Sequence, residues 1–109
     1  MVALFLAANA LASLAVVNAT PVNSATEACS LVKSRYAALN HFPMSRIGFC
    51  DMIEAYVPRR FYVLILHSTR RCDYICSSWL GSFAVERSSG RVFEWNTGEW
   101  EPGPEVRRR

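Results

Sequence analysis

The sequence predicts an α+β domain in which one N-terminal helix packs on a four-stranded antiparallel β-meander. Three observations favour this class. Apolar residues recur at helical spacing over residues 25–39. An unbroken apolar run, rich in aromatic and β-branched residues, begins at Phe61, and two alternating segments follow it. The chain has 109 residues, 51% of them apolar, which suffices for one such domain and no more.

The predicted helix begins after Ser24. The run Ser24-Ala25-Thr26-Glu27 is a capping box, in which the serine hydroxyl accepts from a first-turn amide and the glutamate reaches back. Asn40 suits a left-handed helix end, and Pro43 prevents continuation. A helix this short is not stable alone, so its apolar stripe must pack on the sheet. Residues 20–23 are expected to form a mobile leader.

The first strand is predicted over residues 47–57, where Phe49, Asp51 and Ile53 share one face. A helix over residues 51–56 is the alternative for this segment. Pro58-Arg59-Arg60 then forms a turn.

The next strand, Phe61–Ser68, is apolar on both faces, which favours a central position in the sheet. Residues 80–87 and 91–96 form the last two strands, and Ser88-Ser89-Gly90 is the hairpin turn between them. The domain is therefore expected to span residues 20–101. Prolines at 102 and 104 end it, and residues 102–109 form a disordered basic tail.

The N-terminal segment Met1–Ala19 has the composition of a secretory signal peptide. It contains no Lys, Arg, Asp or Glu, its centre is apolar, and Val17-Asn18-Ala19 fits a cleavage site. An uncleaved membrane anchor is the alternative, although Asn9 and Asn18 interrupt the roughly 20 apolar residues that a span requires. We expect a periplasmic or secreted protein with no stable membrane span after cleavage.

All four cysteines follow the predicted cleavage point, which is typical of a disulfide-bonded exported domain. We favour Cys29–Cys50 as a link between helix and strand, and Cys72–Cys76 as a loop clip. A zinc site that uses His41 or His67 is the alternative, but CxxxC is not the usual zinc-knuckle spacing. No cofactor and no metal are therefore expected.

The formal charge of +3 comes from the end of the chain. Without Arg107, Arg108 and Arg109, the basic residues equal the nine acidic ones in number. A nucleic-acid-binding surface needs clustered positive charge, so we expect no nucleic-acid partner.

The candidate partner-binding residues lie around the 70–80 loop and the C-terminal aromatic residues. Tryptophan flanked by charged residues is typical of binding hot spots. Trp79 and Trp100 occupy loop or edge positions that a small core does not cover. The predicted set is Arg70, Arg71, Asp73, Tyr74, Trp79, Trp95 and Trp100.

His67, at the end of the apolar run, is the candidate for catalysis, with Asp51, Asp73 or Ser68 as neighbours. A strand-end histidine with a satisfied polar contact is the commoner case, and no catalytic frame such as G-x-S-x-G is present. We therefore predict a protein that is not an enzyme.

The late hairpin, Phe83 to Val92, combines an aliphatic strand, a charged pair, a glycine turn and a valine. In this it resembles small exported bacterial immunity proteins of the cystatin and nuclear-transport-factor-like type. The resemblance covers residues 61–95, and the CDYIC loop departs from the family pattern. It implies a protein that binds and neutralises another exported protein, such as a toxin or a hydrolase, and it carries over no functional residue. The alternatives are an envelope-associated structural domain and a small redox or hydrolytic enzyme.

Overall fold

The computed structural model of the protein describes residues 20–69 and 78–107. Within these ranges the chain forms a helix, a short 3-10 turn and one antiparallel sheet. The elements are α1 (Ala25–Asn40), the 3-10 turn (Met44–Arg46), β1 (Ile47–Ile53), β2 (Phe61–Ser68), β3 (Trp79–Glu86), β4 (Val92–Asn96) and β5 (Glu101–Glu105). The α+β prediction is confirmed, but the sheet has five strands where four were predicted.

Helix α1 begins where the capping box predicts. The Ser24 hydroxyl accepts a hydrogen bond from the Glu27 backbone N–H at 3.1 Å, and the Glu27 carboxylate accepts one from the Asn23 N–H at 3.0 Å. The first bond satisfies a backbone donor that the first helical turn leaves unpaired, and the second ties the residue before the N-cap to that turn. The left-handed residue at the other end is His41, with φ 50°, one position later than expected.

The strands follow one another across the sheet in chain order. Strand β2 is an interior strand, as its two apolar faces predict, with Met52 and Phe83 opposite Leu64 on its two sides. Strand β1 ends at Ile53, so residues 54–57 belong to the following loop and the helical alternative for residues 51–56 is wrong.

Helix α1 covers one face of the sheet and forms the main core with it. Ala28 and Val32 from the helix are completely buried against this face. The strand residues of this core are Ile47, Leu64, Leu66, Phe83, Val85 and Val92. Because successive strand residues point to opposite faces, the residues between these lie on the side away from the helix.

The helix-free face carries a second apolar cluster. Its buried members are Phe61, Val63, Ala84 and Trp95. Two loops meet over it: the Trp100 indole N–H donates to the Tyr56 carbonyl at 2.8 Å, and the Trp100 ring packs edge-on against Trp95 with ring centres 5.6 Å apart. This contact covers part of the helix-free face and leaves the first residues of β1 and β3 outside the cover.

Strand β5 corrects the prediction that the domain ends before Pro102. Glu101 pairs with Asn96, the Val106 N–H donates to the Val92 carbonyl at 2.7 Å, and Val106 is buried. The prolines are tolerated because β5 is an edge strand, where a missing N–H breaks no ladder bond on the open side. Residues 102–107 are therefore part of the fold, and residues 108–109 lie outside the described ranges.

The segment before the helix is also part of the fold, so the mobile leader is wrong. The Thr20 and Val22 N–H groups donate to the Ser89 and Arg87 carbonyls at 3.1 and 2.7 Å, and Val22 is buried. These contacts need a glycine in the turn. Gly90 has φ 73°, and a Cβ there would lie 2.7 Å from the Thr20 carbonyl oxygen.

The Cys29–Cys50 disulfide is confirmed, and it joins α1 to β1 with the two Cα atoms 6.0 Å apart. Cys72 and Cys76 lie outside the described residues, as does the predicted signal peptide. A disulfide fits an extracellular or periplasmic protein. In the described ranges, no helix has the length and apolar character required to cross a lipid bilayer.

Replacing Cys29 and Cys50 together by serine is expected to lower the free energy of unfolding by about 2–4 kcal/mol, because the unfolded chain gains the freedom of the opened loop. Urea denaturation of the oxidised proteins measures this. Serine at both Cys72 and Cys76 is the matched control, and it should cost less because the loop between those positions is shorter. A loss for Cys29 and Cys50 no larger than that of the control would contradict the prediction.

Candidate functional site

The predicted partner-binding residues fall into two groups. Arg70, Arg71, Asp73 and Tyr74 lie in residues 70–77, outside the described ranges. Trp79, Trp95 and Trp100 are described, and the structure gives each a different environment.

Trp79 is the first residue of β3 and is 57% exposed. It opposes His67 of β2 in the sheet register, and its indole N–H donates to the Ser82 hydroxyl at 3.4 Å. Trp79 therefore presents much of its ring to solvent from a hydrogen-bonded strand, and its role in binding stays a prediction.

Trp95 corrects the predicted set, because it is 5% exposed and belongs to the core of the helix-free face. The side-chain alternation along β4 points Trp95 toward the helix-free face, where the Trp100 ring packs against it. Trp100 itself is partly exposed, and its indole N–H is held by Tyr56. These two tryptophans thus act in packing, and Trp100 adds an exposed ring edge beside the cluster.

His67 of β2 is the centre of a group of contacts with β1 and with Ser78, the residue before β3. Its Nδ1 lies 2.9 Å from the Ser78 hydroxyl, and its Nε2 lies 2.9 Å from Asp51 Oδ2. The Phe49 ring stacks on the imidazole, with ring centres 4.6 Å apart and planes 15° apart. The strand-end histidine with polar contacts is therefore found, with Asp51 as one predicted neighbour.

The contact between His67 and Asp51 is close but poorly aligned. Nε2 is buried and has no hydrogen bond of good geometry, although the carboxylate oxygen is within 2.9 Å. We conclude that the carboxylate lies off the axis of the Nε2–H bond. The carboxylate therefore touches the imidazole without forming an aligned hydrogen bond.

We refer to Phe49, Asp51, His67, Ser78 and Trp79 as the open patch. It lies on the helix-free face, beyond the buried cluster against which the Trp100 ring packs. Phe49 is 56% exposed and the Asp51 side chain 60% exposed. The open patch therefore combines aromatic rings and a carboxylate on paired strands, which fix their positions.

Sequence reasoning missed Phe49 and Ser78 as members of this group. The alternation of side chains in β1 puts Phe49 and Asp51 on one face, so the sequence did predict that these two lie close together. Their approach to His67 depends on the pairing of β1 with β2, and that of Ser78 on the pairing of β2 with β3.

A groove of about 800 Å³ lies beside the C-terminal half of α1 and strands β3 to β5, and Trp79 and Trp95 are among the residues that line it. Tyr36, Leu39 and Phe83 contribute apolar walls, and Glu94 and Arg107 contribute charge at its margins. It is open to solvent, which fits a surface groove more than a closed small-molecule cavity.

Metal ligands are not grouped in the described part of the chain. Across residues 20–69 and 78–107, His, Cys, Asp and Glu side chains form no group of three suited to a metal ion.

Comparison with known proteins gives no relative for this chain, because no protein-family model, curated protein or solved structure matches it.

Two glutamates flank Trp100: Glu99 in the turn after β4, and Glu101 at the start of β5. A hydrogen bond with Glu99, together with the negative charge of Glu99, raises the pKa of Glu101 above its ordinary value. A carboxyl group with a raised pKa in the folded state binds its proton more readily there than in the unfolded chain. The stability of the fold therefore falls as pH rises from the pKa of Glu101 in the unfolded chain through its higher pKa in the folded protein. The repulsion between the Glu99 and Glu101 side chains persists at neutral pH.

Replacing Glu99 by glutamine is expected to raise the thermal midpoint at about pH 7 and to change it little at about pH 3, where the carboxyl groups are protonated. Thermal unfolding followed by circular dichroism measures both. Glu54→Gln, at an exposed position in another loop, is the control. Glu105 has its pKa lowered by a hydrogen bond from Arg91, which gives the opposite pH dependence, so each variant is compared with wild type at the same pH. An unchanged or lower midpoint for Glu99→Gln at neutral pH would contradict the argument.

Proposed function

We propose that the protein is an exported, non-enzymatic domain that binds another exported protein, as an immunity or inhibitor-type protein does. The observation that supports this most is the open patch, where Phe49, on the same strand face as Asp51, and Trp79, opposite His67, each expose more than half of their surface. Large aromatic rings held in water on rigid strands lose little conformational entropy when a partner covers them. Such rings are frequent at the centres of protein interfaces.

The candidate residues Arg70, Arg71, Asp73 and Tyr74 belong to residues 70–77, outside the described ranges, and stay part of the proposal as sequence-based candidates. The segment joins β2 to β3, so it starts after Thr69 and ends before Ser78, a member of the open patch. Charged residues of this kind are common at the rims of protein interfaces.

The Cys29–Cys50 link supports the same function. It holds β1, an edge strand that supplies Phe49 and Asp51, against the helix. A partner would then meet a surface already in its binding geometry, which reduces the free-energy cost of association.

Affinity capture from the exported fraction of cells that produce the protein tests the proposal. Wild type should retain a stoichiometric protein, and Phe49→Ala, Trp79→Ala and Arg71→Ala should lose most of it. Removal of one hot-spot aromatic residue costs roughly 2 kcal/mol or more, which is about a thirtyfold loss of affinity. Tyr56→Ala is the matched control, because Tyr56 is 92% exposed but lies outside the open patch.

The variants must keep the thermal midpoint of wild type, as expected for exposed side chains. Retention of the protein by both Phe49→Ala and Trp79→Ala would contradict the proposed surface. Failure to find a tight partner, together with a defect in envelope integrity alone, would favour the envelope-associated alternative.

A second candidate function, a small serine-type hydrolase, is favoured by one observation. His67 contacts both Ser78 and Asp51, which are the residue types of an activated nucleophile. The off-axis position of Asp51 argues against it, since a triad carboxylate orients the imidazole through an aligned hydrogen bond.

A fluorophosphonate probe distinguishes the two functions. An activated Ser78 would form an Oγ–P bond with loss of fluoride, and His67 would take the hydroxyl proton. We expect no labelling of the wild-type protein by mass spectrometry. Labelling of Ser78 that is lost in His67→Ala would establish the nucleophile and contradict the non-enzymatic proposal.

A further inference from the structure

Asp51 is an exposed carboxylate without a cationic side chain of arginine or lysine beside it in the described part of the chain. Its one ion-pair contact there is with His67, and that contact is off axis. By contrast, Glu105 receives a two-point contact from Arg91 at 3.2 and 2.8 Å. Asp51 therefore retains lone pairs that face solvent and can accept hydrogen bonds from a further group.

Phe49 offers a ring face next to this carboxylate. Phe49 and Asp51 are two residues apart on β1, so their side chains lie on the same face of the strand. Both also contact His67, which fixes their spacing. One ring face of Phe49 stacks on the imidazole, and the ring remains 56% exposed.

The rest of the sheet indicates what covers such rings in this protein. Arg60 lies over Phe61, Arg87 over Tyr62 and Arg91 over Phe93, with the guanidinium carbon 4.8, 4.0 and 5.1 Å from the ring centre. Within the described residues, no arginine or lysine lies over Phe49 in this way. The aromatic residues near the other end of β2 are thus covered by arginines of the same chain.

We propose that Phe49 and Asp51 form a binding site for an arginine side chain of the partner protein. The guanidinium plane stacks on the exposed side of the Phe49 ring while its N–H groups donate to the Asp51 carboxylate. A planar group with several donors satisfies both demands at once, whereas an ammonium group is a compact charge that cannot stack. Trp79 lies on the other side of β2 from the site, opposite His67 in the sheet register. This inference rests on the proposed binding function and specifies the chemistry of the partner.

N-acetyl-arginine amide is the probe, and N-acetyl-citrulline amide is its uncharged control of the same shape. Titration followed by ¹H–¹⁵N NMR should shift the backbone amide signals of Phe49 and Asp51 with arginine and leave them in place with citrulline. The variants Asp51→Asn and Phe49→Leu keep the size of the side chains and remove the charge or the aromatic face. Loss of a charged hydrogen bond should weaken arginine binding about tenfold in Asp51→Asn, and loss of the ring face should weaken it severalfold in Phe49→Leu.

Glu54→Gln, which removes a carboxylate from the neighbouring loop, should leave arginine binding unchanged. Equal shifts with citrulline, or undiminished arginine binding by Asp51→Asn, would overturn the proposal.

The arginine titration and the affinity-capture experiment can fail independently of each other. If Phe49→Ala and Trp79→Ala lose the partner while arginine amide does not bind, the partner surface stands and the arginine site does not. If arginine amide binds at Asp51 but no variant affects capture, the proposed function fails.

Discussion

Strand β2 is apolar on both faces, and the described chain supplies a single helix to cover one of them. Leu64 and Leu66 pack under α1, whereas Phe61 and Val63 point the other way. A sheet with two apolar faces must bury both or leave part exposed to water. Much of the remaining structure follows from the way in which this chain covers the second face.

The second face is covered by loops, and only in part. Tyr56 and Trp100 both adopt positive φ angles, 60° and 58°, which are uncommon for residues other than glycine. They meet through a hydrogen bond above Trp95. The contact holds the Trp100 ring against Trp95 of the buried cluster, whereas Phe49 of β1 and Trp79 of β3 stay exposed. The open patch is what remains of the face, so its exposure is a consequence of the fold.

Connections at the margins hold this small domain together. The disulfide joins the edge strand β1 to α1, and the segment at Thr20 and Val22 pairs with the turn after β3. At the other edge, Arg91 pairs with Glu105, and Arg35 donates to the Val106 carbonyl at 2.9 Å. A domain with a modest core gains much of its stability from such links, because it buries a small fraction of its surface.

The sequence by itself determined the elements whose causes are local. The capping box located the start of α1, the apolar run located β2, and the Ser-Ser-Gly turn located the hairpin. Strand β5 was missed because its prolines are unfavourable in a strand, and only an edge position permits them. Burial of Trp95 and the gathering of Phe49, Asp51 and Ser78 around His67 were decided by strand pairing and by the Trp100 loop. These contacts join residues far apart in the chain, and local pattern carries no information about which distant strands and loops will meet.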